Sequence, residues 1–220
     1  MVSAENISVH SVLFWQGRDP APEQVARRLA ELWHEENAGL GPFRIILGFR
    51  DQGQWLASRY AESGKDCPDF CQADFDLRVR EILSRPQLGD ALSWLDFSHV
   101  HARFARHFGR DNIHVYFLER LEAKPGWILE QIGRFIGGEV LGERFRSLGR
   151  QYRHDRRNVS ARGENVWKLK SGQRSRLTLS PELADAIDAR FSAGNHALRQ
   201  ELRQKHLDTA RATGDSGPAP

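Results

Sequence analysis

Residues 45–60 read Ile45-Ile46-Leu47-Gly48-Phe49-Arg50-Asp51-Gln52-Gly53-Gln54-Trp55-Leu56-Ala57-Ser58-Arg59-Tyr60. The run from Phe43 to Phe49 is β-branched and aromatic, the composition of a buried strand. A charge, Arg50, follows at once, and Asp51 to Glu62 is expected to be helical. A buried strand feeding directly into a helix is the building unit of an α/β domain with a parallel sheet. In such sheets ligands bind beyond the carboxyl ends of the strands, so Arg50 stands where chemistry is expected.

Working outward, short apolar runs alternate with longer amphipathic ones. Two further strands are expected, Met1 to Ala4 and Ile113 to Leu118, the latter reading Ile-His-Val-Tyr-Phe-Leu. Between the first two strands, Val25, Leu29 and Leu32 fall at spacings of four and three, which makes Pro22 to Glu35 a crossover helix covering one sheet face. Helices are also expected over Phe75 to Leu83, Ser98 to Phe108 and Trp127 to Ile136, the last with an apolar stripe of Ile128, Ile132, Phe135 and Ile136. Ser180-Pro181-Glu182 combines a capping hydroxyl, a proline at the first helical position and an acid in the first turn, so a helix should run from Pro181 to Phe191. Gly194-Asn195 is expected to break it, with a short helix from Ala197 to His206 beyond. Thr209 to Pro220 has nothing to bury and is expected to be a disordered tail, which leaves residues 1–208 as one domain.

The 220 residues, 40% of them hydrophobic with six Trp and twelve Phe, exclude a disordered chain, a collagen-like repeat and a small disulfide scaffold. A net charge of +3 is too small to force a nucleic-acid reading. Nearly all the positive charge is Arg, since Lys stands only at Lys65, Lys124, Lys168, Lys170 and Lys205. Arg grips planar oxyanions bidentately where Lys offers a point charge, although a GC-rich coding sequence gives the same bias. Cys67 and Cys71, the only cysteines, lack a second pair for a zinc site and fit a reduced cytosolic setting. Glu5 interrupts what would be a signal peptide, and no stretch approaches the roughly 18 apolar residues of a membrane span, so a cytoplasmic protein is expected.

The strand ends carry Glu5, Arg50 and Glu119. An Arg there can hold a phosphate against the first N–H groups and positive dipole end of the following helix. Ser58, eight residues after Arg50, could bring its hydroxyl to the same anion. The plainer alternatives are a surface salt bridge at the Arg50-Asp51 corner and an ordinary helical serine at Ser58.

The quoted stretch resembles the 3′-phosphate-binding segment of the sulfotransferases that use 3′-phosphoadenosine 5′-phosphosulfate, in which an Arg at a strand end and a Ser eight residues later grip the 3′-phosphate. Other segments agree in order. Val2-Ser3-Ala4-Glu5-Asn6 is similar to the Ser-Ser-Glu segment of carbohydrate and bacterial members. Phe108 to Leu121 resembles their strand followed by Glu and Leu, and Gly133 to Gly137 the helix end that follows. Arg156-Arg157-Asn158-Val159-Ser160 and Leu179 to Leu183 are similar to the late basic loop and closing helix. The resemblance spans Val2 to about Leu202. It implies a P-loop-NTPase-like fold with a three-layer parallel sheet flanked by helices, and transfer of a sulfuryl group to a small-molecule or carbohydrate hydroxyl. By the match, Arg50, Ser58 and Arg156 contact the nucleotide co-substrate and Glu5 is a candidate general base, the plainer alternative for Glu5 being a helix-capping acid or a salt-bridge partner. Catalysis of this kind is mostly positioning and cationic stabilisation, with a carboxylate taking the hydroxyl proton.

One departure stands out. The family's Gly- and Ser/Thr-rich loop, which cradles the 5′-phosphosulfate, matches nothing here. Gly137-Gly138-Glu139-Val140-Leu141-Gly142 is glycine-rich but acidic, lacks Lys and follows a helix. The family loop lies upstream of the Ser-Ser-Glu segment, so the chain is expected to lack its first βα unit, through a late start in preference to a true loss of the unit, and to transfer poorly or not at all as it stands. The rivals are a non-catalytic descendant that binds a nucleotide or protein partner, and an Arg-rich RNA-associated module drawing on Arg150 to Arg157. No metal is expected, because His99 and His101 point to different helix faces and His34-Glu35-Glu36-Asn37 lacks a second His. His10 is a reserve base, Trp15 and Trp55 are core residues before they are adenine platforms, and the loop Ser63 to Asp74 is where acceptor choice would lie.

Overall fold

Strands β1 (Ile45–Phe49) and β2 (Ile113–Phe117) pair in parallel, Ile45 opposite Ile113 and Phe49 opposite Phe117. The computed structural model describes residues 11–36, 43–67, 69–151, 166–169 and 176–213. Over these the chain is mostly helical around a small sheet of two parallel strands, an α/β arrangement. The expected strand Met1 to Ala4 lies outside the described residues.

Alternation of side chains along a strand sends the two strands' residues to opposite faces. Ile45, Phe49, Ile113 and Phe117 enter the main core, where the Phe49 ring stacks on Phe97 with centroids 4.3 Å apart. Ile46 and Tyr116 pack against a second, smaller cluster of Leu121, Ile128 and Ile132. Gly48 is needed at its position. Its register partner Tyr116 lays its ring across it, and a methyl on Gly48 would stand 2.6 Å from Tyr116 Cζ.

After the first, which the sequence pattern did not predict, the helices of the first half follow that pattern closely. They are α1 (Ser11–Trp15), α2 (Pro22–Glu36), α3 (Gln52–Ser63), α4 (Gln72–Ser84) and α5 (Phe97–Phe108), with a 3₁₀ turn over Asp90–Leu95 before α5. Asp51 and Asp96 cap α3 and α5, each side chain accepting from the backbone N–H three residues on, Gln54 and His99. Helix α5 ends at Gly109, whose φ of 80° lies in the left-handed region that glycine adopts without steric cost. Beyond β2 come α6 (Leu118–Ala123), α7 (Pro125–Gln151), the antiparallel pair β3 (Val166–Lys168) and β4 (Arg176–Thr178), and α8 (Pro181–Thr213).

Two of the expected helices run past their expected ends. Helix α7 runs well past Ile136, as two limbs that meet at a kink over Gly137 and Gly138, the latter at φ 76°. The limbs fold back on each other through glycines. A methyl on Gly149 would come within 2.6 Å of the Gly126 nitrogen, and one on Gly133 within 2.9 Å of the Gly142 Cα. Arg44, one residue before β1, donates to the carbonyls of Phe135 and Ile136 and so caps the end of the first limb. The glycine-rich run Gly137 to Gly142 is therefore a helix–helix link.

Helix α8 does not break at Gly194-Asn195. Tertiary contacts override the local signal: Asn195 and Gln52 exchange amide hydrogen bonds at 3.0 Å, and Gly194 lies 3.5 Å, measured from where its methyl would be, from Ser98 Oγ. Gln52, 1% exposed, also donates to the carbonyl of Leu95. The predicted start of α8 holds, with Ser180 Oγ accepting from Leu183 N, while the backbone N–H of Glu182 first and the Ser180 hydroxyl second hold the Glu182 carboxyl below its ordinary value. The helix continues through Thr213 where a tail was expected from Thr209, and residues 214–220 lie outside the described residues.

Candidate functional site

Arg50 and Glu119 come together because β1 and β2 are parallel and in register, so the residues just past Phe49 and Phe117 share one edge of the sheet. The chain turns there into α3 and α6, which brings both helix starts to the same corner. Glu119 Oε1 accepts from the backbone N–H of Asp51 at 2.7 Å, and Asp51 Oδ1 accepts from Gln54 N at 2.9 Å. Two donors at the head of α3 are thus taken by the chain's own carboxylates.

Arg50 is half-buried, and one of its guanidinium nitrogens donates to Gln54 Oε1 at 3.2 Å. Burial pushes the guanidinium below its ordinary value, opposed by the carboxylates of Glu119, Glu122 and Asp51. With five N–H donors on the group, a single neutral amide partner among the described residues leaves most of its planar fork available to an oxyanion. Ser58 lies one helical turn beyond Gln54 on the same face of α3 and is also half-buried. Arg50, Gln54 and Ser58 therefore form one line from the strand end along the helix. Sequence reasoning placed Arg50, Ser58 and Glu119 but missed Gln54. The available signal was the spacing of four, from Arg50 to Gln54 and from Gln54 to Ser58.

The remaining candidates divide. Glu5, Arg156 and His10 lie outside the described residues. Trp15 is buried in the core, with Phe14, Tyr60 and Phe75 against it edge-on or nearly so. Trp55 packs partly buried on the same core, with Phe14 edge-on at 4.9 Å and the Arg59 guanidinium 5.5 Å over its ring. Cys67 and Cys71 are free thiols, and burial pushes Cys67 up. Among the described residues no group of three or more His, Cys, Asp and Glu could hold a metal ion, and no helix is long and apolar enough to cross a membrane.

The loop after α3 is anchored by Tyr60, whose buried hydroxyl accepts from Cys71 N at 2.9 Å and donates to Asp74 at 2.6 Å. Burial first, then Asp74, pushes that phenol well above its ordinary value, so it stays protonated. Asp74 also accepts from Arg78 Nε at 2.7 Å, and Arg78 donates to the Trp15 carbonyl. Beside this network lies a cavity of about 430 Å³ lined by Phe14, Trp15, Arg78, Glu81 and Arg85 among others, apart from Arg50 and Ser58. No protein-family model matches the chain, and neither a curated protein nor a solved structure matches it.

Proposed function

We propose that the chain is a sulfotransferase-like protein of P-loop-NTPase-like, three-layer design, whose Arg50 and Ser58 hold the 3′-phosphate of 3′-phosphoadenosine 5′-phosphosulfate. The acceptor is a small-molecule or carbohydrate hydroxyl, with Glu5 as its base and Arg156 as a further contact to the nucleotide. The observation that carries the reading is the Arg50 corner. A half-buried guanidinium at the carboxyl end of a parallel strand keeps most of its donors uncommitted to direct hydrogen bonds and lies in line with a serine hydroxyl.

The fit is good for the side chains and poor for the backbone. Arg50 and Ser58 offer a cation and a hydroxyl, whereas the Asp51 and Gln54 N–H groups already serve carboxylates. While those carboxylates stay in place, a phosphate is gripped from the side by the Arg fork rather than head-on by the helix dipole. Transfer itself requires a cradle for the 5′-phosphosulfate, and nothing in the sequence matches that loop.

A second reading has its own support. The carboxylates of Glu119, Glu122 and Asp51 act on Arg50 as counter-charges, which suits a non-catalytic descendant that binds a nucleotide or protein partner. Calorimetric titration of 3′,5′-adenosine diphosphate into wild type and Arg50→Ala tests the shared core of both. Loss of at least about tenfold in affinity is expected on removing a charge-assisted, bidentate contact. Equal affinity overturns the assignment of Arg50.

A further inference from the structure

Glu119 holds the Asp51 N–H at 2.7 Å, a short hydrogen bond with a charged acceptor, at the head of a 12-residue helix. It does so from the second strand's end, 68 residues away in sequence. Its position is the one a ligand oxyanion would take: against a backbone donor at a helix start, on the residue that follows Arg50. Of the charges acting on Arg50, Glu119 acts most strongly, ahead of Glu122 and Asp51.

We infer that Glu119 is an internal competitor for the anion at the Arg50 corner, a positioning carboxylate that holds the Asp51 N–H and adds negative charge beside Arg50 when the corner is empty, and that gives up this hold when a phosphate arrives. This rests on the reading of Arg50 as a phosphate-binding residue. One guanidinium with three carboxylates acting on it from beyond contact distance leaves an incoming dianion in a field of the wrong sign. Affinity for phosphate is then set by how firmly Glu119 is held as well as by the Arg.

The competitor model makes an unusual demand: removing a polar side chain at a binding site must strengthen binding. Glu119→Gln keeps an oxygen that accepts from Asp51 N and removes the charge, so the corner retains its shape. The probe is 3′,5′-adenosine diphosphate, titrated into wild type, Glu119→Gln, Glu119→Ala and Arg50→Ala at two salt concentrations. Glu119→Gln should bind about tenfold more tightly than wild type at low salt, with the gap narrowing at high salt as the charges are screened. Glu119→Ala should also bind more tightly, provided circular dichroism and thermal melting show it folded. If wild type binds in an Arg50-dependent way and both Glu119 variants bind equally or more weakly, Glu119 is a structural tie and the inference falls alone. If Arg50→Ala binds like wild type, or no variant binds, the reading of the corner falls and the inference with it.

Discussion

Two charged centres in this protein are built from the same residue types in opposite ways. In the folded-back α7, Glu130 is 6% exposed and lies between two arginines, Arg134 at 2.8 Å and Arg146 at 3.4 Å, with Glu139 closing on Arg134 at 3.2 Å. At the sheet edge, Arg50 is half-buried among three carboxylates but makes its 3.2 Å hydrogen bond to the neutral Gln54. The first centre is a closed network in which the buried charge is paired directly, as burial requires. The second is balanced by field rather than by contact. A charge held by contact fixes two helix limbs together; a charge balanced at a distance can exchange partners.

The largest effect is expected where the α7 limbs meet. In Gly149→Ala the new methyl would meet the Gly126 backbone, which cannot yield as a side chain can, so a loss of about 3 kcal/mol is expected in urea denaturation. Binding of 3′,5′-adenosine diphosphate by the folded fraction should be unchanged. Next comes Glu130→Gln, which keeps the shape but leaves Arg134 and Arg146 short of a counter-charge. Both arginines reach solvent, so the loss should be about 1 kcal/mol rather than the several expected of a fully buried pair. Arg50→Ala should change stability by only about 0.5 kcal/mol, as at other sites without a direct ion pair, while costing nucleotide affinity. A variant set in which Arg50→Ala destabilises more than Glu130→Gln would erase the distinction between the two centres.

A third charge cluster offers the finest test. Glu23, in the first turn of α2, accepts from or pairs with His107 at 2.8 Å and lies 3.6 Å from both Arg103 and Arg106 of α5. His107 foremost, and the two arginines after it, hold the Glu23 carboxyl below its ordinary value of 4.5. A depressed folded-state value means the stabilisation is fully present above pH 4.5 and is lost as pH falls through the lower folded value. The stability gap between wild type and Glu23→Gln should therefore close only in acid, below pH 4.5. A gap unchanged down to pH 3 would show that Glu23 acts through packing.

The first half of the fold was legible because its signals are local. Apolar runs and helical spacing located β1, β2 and the helices from α2 to α5 to within three residues at either end. What went unread depends on distant partners. Gly194-Asn195 reads as a break until Gln52 and Ser98 are known to lie beside it. The second limb of α7 was missed although Leu141, Phe145 and Leu148 repeat at helical spacing, because the glycines there suggested a loop. Strands β3 and β4, three residues each, are too short to show a period. At the candidate corner, spacing alone singled out Arg50 and Ser58. The Glu119 carboxylate on the Asp51 N–H was not, because only the parallel register brings β2's end to β1's.

That register also orders the assembly of the protein in time. The two limbs of α7 are joined by a link of two glycines and close over a short loop, whereas β1 must wait for a strand 68 residues further on, a closure with a larger entropic cost and a slower rate. The Arg50 corner is consequently a late product of folding, absent from any species in which only local helices have formed. A refolding chain should recover its far-ultraviolet helical signal before it recovers the nucleotide-phosphate binding proposed for the Arg50 corner, and the delay between the two measures the docking of β2 onto β1.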